Sequence, residues 1–112
     1  MKKIEAIFEP TEVEEMRDGL VGLGVRGMTV TEVKGFGSPG GITEVYRGMR
    51  YDAPFLLEAK VEIVVADEIA ERAVALIREK AKTDDAGGSR IFVFPLEDVG
   101  LMRTGKKNAA AA

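Results

Sequence analysis

Apolar and polar residues alternate over residues 3–8, with Ile4, Ala6 and Phe8 on one face and Glu5, Ile7 and Glu9 on the other, which predicts a strand that Pro10 ends. Thr11-Glu12-Val13-Glu14 reads as a capping box, in which the Thr11 hydroxyl accepts from the amide three residues on and Glu14 reaches back. The period then lengthens: Val13, Met16, Leu20 and Leu23 share one face of a helix, while Glu12, Glu15 and Asp18 face water. Gly24 is placed to supply the left-handed residue that stops this helix. Gly27 turns the chain into a second strand over 28–36, rich in Val and Thr. Alternation returns over 55–65, where Ala59, Val61, Ile63 and Val65 oppose Glu58, Lys60 and Glu62. Asp67 is the predicted N-cap of a second helix carrying Ile69, Ala73, Leu76, Ile77 and Ala81 on its inner face. Residues 91–94 form a short strand ended by Pro95, 96–102 a loose turn of helix, and a Lys- and Ala-containing tail frays from about residue 106.

Strand, helix, strand, repeated once, predicts an α+β chain of the ferredoxin-like double split βαβ type, one domain over 1–112. Its four-stranded antiparallel sheet carries both helices on one face. The strand over 91–94 is apolar on both of its faces, whereas a sheet with one wet face alternates. With no third helix to cover it, oligomerisation through the sheets is the economical expectation.

Between the second strand and the next alternating run lies an arm, residues 35–51, in which five glycines and Pro39 argue against regular helix or strand. Tyr46, Arg47, Arg50 and Tyr51 crowd its second half, and aromatic and Arg side chains are those enriched at binding hot spots. Loops longer than about 12–15 residues in a small domain are usually functional or disordered. The arm is therefore read as a recognition element rather than a linker.

Composition removes several classes of chemistry. The net charge of −3 leaves no basic footprint for nucleic acid. The absence of Cys and His excludes disulfides, the usual zinc and haem ligands, and His-activated nucleophiles. No metal site is predicted. Acidic pairs such as Glu14-Glu15 and Asp84-Asp85 read as solvated faces, and no catalytic residue is assigned. Glu5 interrupts any leader-like apolar run, and no stretch approaches the roughly 18 residues needed to cross a bilayer, so a cytoplasmic protein without membrane insertion is expected. Three glycine turns remain: Gly35-Phe36-Gly37, Gly87-Gly88-Ser89 beside Arg90, and the Gly105 turn beside Arg103. Such turns let backbone amides approach an anion, and together they outline a phosphate site.

The runs Met28-Thr29-Val30-Thr31-Glu32-Val33-Lys34-Gly35-Phe36-Gly37, Thr43-Glu44-Val45-Tyr46-Arg47-Gly48 with Tyr51, and Lys60-Val61-Glu62-Ile63-Val64-Val65 resemble the PII signal-transduction family. The opening Met1-Lys2-Lys3-Ile4-Glu5-Ala6-Ile7 and the closing Arg103-Thr104-Gly105 agree, so the resemblance spans almost the whole chain. It implies a homotrimer whose sheets face the centre, with adenine nucleotide (ADP, AMP or ATP) in clefts between subunits. It also implies a T-loop, here 37–55, that docks on a transporter or enzyme, and a B-loop, here 83–90. The implied nucleotide contacts are Thr29, Gly35, Phe36, Gly37, Ser38, Val64, Gly87, Gly88, Ser89, Arg90 and Arg103. Tyr46, Arg47, Arg50 and Tyr51 are the implied partner contacts. Tyr51 stands where some members are uridylylated, but Met49 and Arg50 precede it in place of the usual small or acidic residues, so a partner contact is preferred.

Departures from the family pattern shift the expectation. Pro39 and Glu58 replace the Gln and Lys of members that sense 2-oxoglutarate, removing a magnesium ligand and reversing a charge. Magnesium is left open. Ser38 and Leu101 replace frequent arginines, and Asp84, Gly88 and Ser89 break the B-loop pattern, which lessens the preference for a triphosphate. The sequence reads as a nucleotide-binding regulator that does not sense 2-oxoglutarate by the usual route. Its rivals are a slow nucleotide hydrolase at the cleft and a structural trimer that has lost its ligand.

Overall fold

The computed structural model describes residues 1–35, 42–46, 49–53, 55–81, 89–108 and 112, with the backbone alone for 42–46 and 49–53. Strand β1 (Lys2–Phe8) lies inside a four-stranded sheet, between β5 (Leu56–Val65) and β6 (Arg90–Pro95). Strand β2 (Thr29–Gly35) takes the outer side of β5, giving the order β2-β5-β1-β6 with every pairing antiparallel. Helix α1 (Val13–Gly22) links β1 to β2, and α2 (Asp67–Lys80) links β5 to β6. This is the double split βαβ arrangement that the alternation predicts.

Period-two patterning decides which face is covered. Ile4, Ala6 and Phe8 of β1 and Val61, Ile63 and Val65 of β5 are buried beneath Met16 and Leu20 of α1 and Ala73 and Ile77 of α2. Each fully buried Ile, Leu or Phe contributes about 1.5–3 kcal/mol relative to exposure, so this one layer holds the fold. The two helices meet closely at Gly19, where an added Cβ would stand 2.9 Å from Leu76 Cδ1. Lys80 Nζ reaches Glu15 Oε1 at 3.1 Å and ties the end of α2 to the start of α1.

Several local expectations are corrected. Thr11 does not cap a helix: it lies inside a 3₁₀ turn (Pro10–Glu12), and α1 begins only at Val13 with no side-chain cap. Pro10, whose fixed φ suits the first position of a helical turn, starts that turn early. Glu12 is half-buried rather than turned to water. Asp67 is the first residue of α2, not its N-cap; Ala66 holds that place, and the Asp67 carboxylate instead meets the Met1 ammonium at 2.9 Å. Gly24, at φ 97°, stops α1 as expected, but Gly27 has no positive φ and needs no glycine for its turn. Residues 96–102 form no helix. Gly100 bridges Lys107, Leu101 N–H donates to the Lys106 carbonyl at 2.7 Å, and Asn108 N–H donates to the Val99 carbonyl at 2.8 Å.

The largest correction falls on the arm. Strands β3 (Ile42–Tyr46) and β4 (Met49–Ala53) pair from Ile42↔Ala53 to Tyr46↔Met49 as a separate two-stranded sheet. The glycines are concentrated at 35–41 and 48, and the ten paired residues are rich in Ile, Thr, Val and Tyr, which favour extended backbone.

Candidate functional site

A Schellman turn sets the geometry of the site. At the end of α1, Gly24 N–H donates to the Val21 carbonyl at 3.0 Å and Val25 N–H to the Leu20 carbonyl at 3.1 Å. Val25 is buried, so the turn is anchored in the core, and the chain leaves it through Arg26, Gly27 and Met28 into β2. Between this exit, the end of β5 and the segment at Leu101 lies a cavity of 640 Å³. Met28, Val64 and Leu101 give it apolar walls, while Lys3, Arg26, Thr29 and Glu62 supply polar groups. Apolar walls suit a flat heterocycle, and the hydroxyl, carboxylate and cations around them suit its polar edge and an anionic substituent.

One wall of the cavity continues onto the sheet face opposite the helices. There Lys3 and Glu5 of β1 alternate in sign with Lys60 and Glu62 of β5. Lys3 Nζ lies 2.8 Å from Glu62 and 3.8 Å from Glu5, and Lys60 Nζ 3.6 Å from Glu5 and 3.8 Å from Glu62. The hydrogen bond from Lys3 holds the Glu62 carboxyl below its ordinary pKa against the opposing effect of partial burial, and Lys3 is raised in return. Beside this lattice Phe92 and Phe94 stack at 6.4 Å, with Lys3 Nζ 5.9 Å from the Phe94 ring centre. Both rings are about 40% exposed in the single chain, Phe92 39% and Phe94 41%.

The residues expected to bind ligand are divided among three places. Thr29 and Val64 line the cavity, and Arg103 lies two residues beyond Leu101 in the exposed turn at 102–104. Gly35 sits at the far end of β2, six residues and about 20 Å of strand from Thr29. A Cβ there would stand 3.4 Å from Glu58 Oε2, and Glu58 is buried rather than facing water as its place in the alternation implies. Ser89 precedes β6, its Oγ buried with no hydrogen-bond partner among the described residues, and Arg90 opens β6 opposite Ile7. Three strand spacings, about 14 Å, separate β6 from β2, so one chain does not join Arg90 to Thr29. Tyr46 ends β3, and Arg50 and Tyr51 lie in β4. Phe36, Gly37, Ser38, Pro39, Arg47, Gly87 and Gly88 fall outside the described residues.

Lys3, Arg26, Met28 and Glu62 line the cavity without having been singled out in the sequence. Lys3 and Glu62 occupy the polar phase of their strands, which looks the same whether water or ligand lies above it. Arg26 follows a helix stop and stands beside none of the three glycine turns that outline a phosphate site in the sequence. Among the described residues, no group of three or more His, Cys, Asp or Glu is arranged to hold a metal ion. No helix among them is long and apolar enough to cross a membrane.

Comparison with known proteins finds matches over nearly the whole chain. Residues 1–106 match the family model described as "Nitrogen regulatory protein P-II". The chain is 46% identical over 111 residues to the nitrogen regulatory protein P-II of Azospirillum brasilense, covering 99% of each. It is 47% identical over 111 residues, again 99% of each chain, to nitrogen regulatory protein P-II of Pasteurella multocida and to nitrogen regulatory protein P-II 1 of Escherichia coli K12.

Proposed function

Since the chain belongs to the P-II family of nitrogen regulatory proteins, we propose that it is a cytoplasmic, homotrimeric regulator that takes adenine nucleotide in the clefts between its subunits. It controls a partner transporter or enzyme through the 37–55 arm, with Tyr46, Arg47, Arg50 and Tyr51 as contacts. The observation that carries this reading is the division of the expected ligand contacts between opposite edges of one sheet. Thr29 and Val64 sit in the β2–β5 cavity, and Arg90 opens the β6 edge. A neighbouring copy whose β6 edge reaches that cavity brings Arg90 to it, and the exposed Phe92 and Phe94 give the two copies an apolar surface to share. Bound nucleotide then acts by population shift, favouring the arm conformation with which it makes the better contacts.

Glu58 bears on the second ligand associated with the family. Its buried carboxyl group, set against Gly35, leaves no cation for the carboxylates of 2-oxoglutarate at that position. The regulator therefore reads nucleotide without sensing 2-oxoglutarate by the family's usual route.

Calorimetric titration tests the whole reading. ADP, AMP or ATP should bind saturably, and Arg103→Ala should weaken binding about tenfold, the worth of one charge-assisted phosphate contact. With Mg-ATP bound, added 2-oxoglutarate should give no saturable heat. Absence of nucleotide binding would favour a structural trimer, and steady phosphate release from ATP would favour an enzyme.

A further inference from the structure

We infer that Ala112 is a wall of the β2–β5 cavity whose seating is coupled to bound ligand, and that Asn108 is the residue that positions it. This rests on the nucleotide reading and adds to it a segment that the sequence assigns to a fraying tail. Instead that segment is tied down. Leu101 N–H donates to the Lys106 carbonyl at 2.7 Å, Gly100 bridges Lys107, and Asn108 N–H donates to the Val99 carbonyl at 2.8 Å. Ala112 N–H then donates back to the Asn108 carbonyl at 3.0 Å. Ala112 is half-buried and lines the 640 Å³ cavity together with Val64 and Leu101. It also lines an adjoining space of 90 Å³ whose other walls include Val25, Val65 and Ile69. Ala112 therefore stands between the two.

Two observations decide what this seating does. With Ala112 in place the cavity still holds 640 Å³, a size that suits a small-molecule site, so the residue bounds the ligand space rather than filling it. Ligand and seated Ala112 then share a surface, and by linkage each stabilises the other to the same degree. The second observation is the Asn108 backbone, whose φ of 56° is the one positive value among the described non-glycine residues. Asn accepts the left-handed region more readily than other residues with a side chain, and a β-branched residue is strained there. That turn takes the chain from its bonds with Val99 and Leu101 to the end of β5, where Ala112 meets Val64 and Val65.

Amide hydrogen exchange at Ala112, followed by NMR on the full chain with and without ADP, reads the coupling directly. ADP should slow it at least about fivefold, the low end of coupling between linked sites. Calorimetry then compares variants. Ala112→Asp sets a charge among apolar walls and should weaken ADP about fivefold, through loss of the same coupling. Ala112→Leu should tighten ADP about twofold or more, since its added carbons enter the 90 Å³ space beside Val25 and Ile69. Asn108→Val should weaken ADP as Ala112→Asp does, whereas Asn108→Gly, which keeps the left-handed turn, should stay within about twofold of the parent. Exchange at Ala112 unaltered by ADP, in a parent that binds it, would overturn the inference and leave the nucleotide reading standing. Faster exchange would overturn it by showing that ligand displaces the residue. So would ADP affinity that moves in neither Ala112 variant. Failure of the parent to bind any adenine nucleotide would overturn the nucleotide reading, and this coupling with it.

Discussion

Lys3 and Glu62 illustrate how much a single pair can do on a sheet face that alternation assigns to water. The Glu62 carboxyl is held below its ordinary value of 4.5 chiefly by the hydrogen bond from Lys3, whose ammonium is raised above 10.5 by the same bond. A depressed carboxyl pKa stabilises the fold above its unfolded value and loses that effect as pH falls through the folded one. A raised ammonium pKa does the reverse, and its contribution is lost in strong alkali. The pair is therefore intact through neutrality and fails first in acid. Melting temperature should fall more steeply between about pH 5 and pH 3 in the parent than in Glu62→Gln, which has no such proton to take up. Both groups are partly exposed, so the difference is a few degrees at most. At this scale family resemblance singled out Thr29 and Val64, which the fold brings to one cavity. Arg26, Lys3 and Glu62 were not legible, because a polar residue on an alternating strand or after a helix stop carries no mark of what lies above it.

Elements were legible where one physical rule acted alone. Alternation located β1 and β5, and helical spacing located α1 and α2, because each buries one face against a common core, whereas β6 was located by a continuous apolar run ended by Pro95. Where two rules competed, the reading failed. Thr11 and Glu14 have the spacing of a capping box, yet Pro10 begins a 3₁₀ turn one residue earlier and puts Thr11 inside it. In the arm, glycine content argued against strands, but the glycines cluster outside the ten residues that pair. Gly24 and Gly27 separate the two uses of glycine and give a prediction. Gly24→Ala forces a side chain into φ 97° and should cost about 1–3 kcal/mol in denaturant unfolding. Gly27 has an ordinary φ and open space where a Cβ would go, so Gly27→Ala should stay within about 0.5 kcal/mol of the parent.

For the whole molecule the open sheet face is the dominant feature. Doubly apolar patterning at 91–94 predicted it from sequence, and Phe92 and Phe94, which lie on that face, are 39% and 41% exposed in the single chain. Light scattering should return three chains per particle for the parent. Phe94→Asp should lower that mass, since it sets a carboxylate among the stacked rings, and a parent that remained monomeric at micromolar concentration would remove the intersubunit cleft. Among the described residues the same sheet leaves both of its edges open, β2 on one side and β6 on the other. Strand β2 carries Glu32 and Lys34, charges of the kind that discourage stray pairing, but the middle of β6, Ile91 to Phe94, has none. On the proposed trimer, a freshly synthesised chain carries a sticky, uncharged edge until another copy reaches it. That encounter is bimolecular, so its half-time lengthens as expression falls, and misassembly competes with it throughout. If the proposed trimer forms, maturation of this protein depends on copy number as well as on sequence.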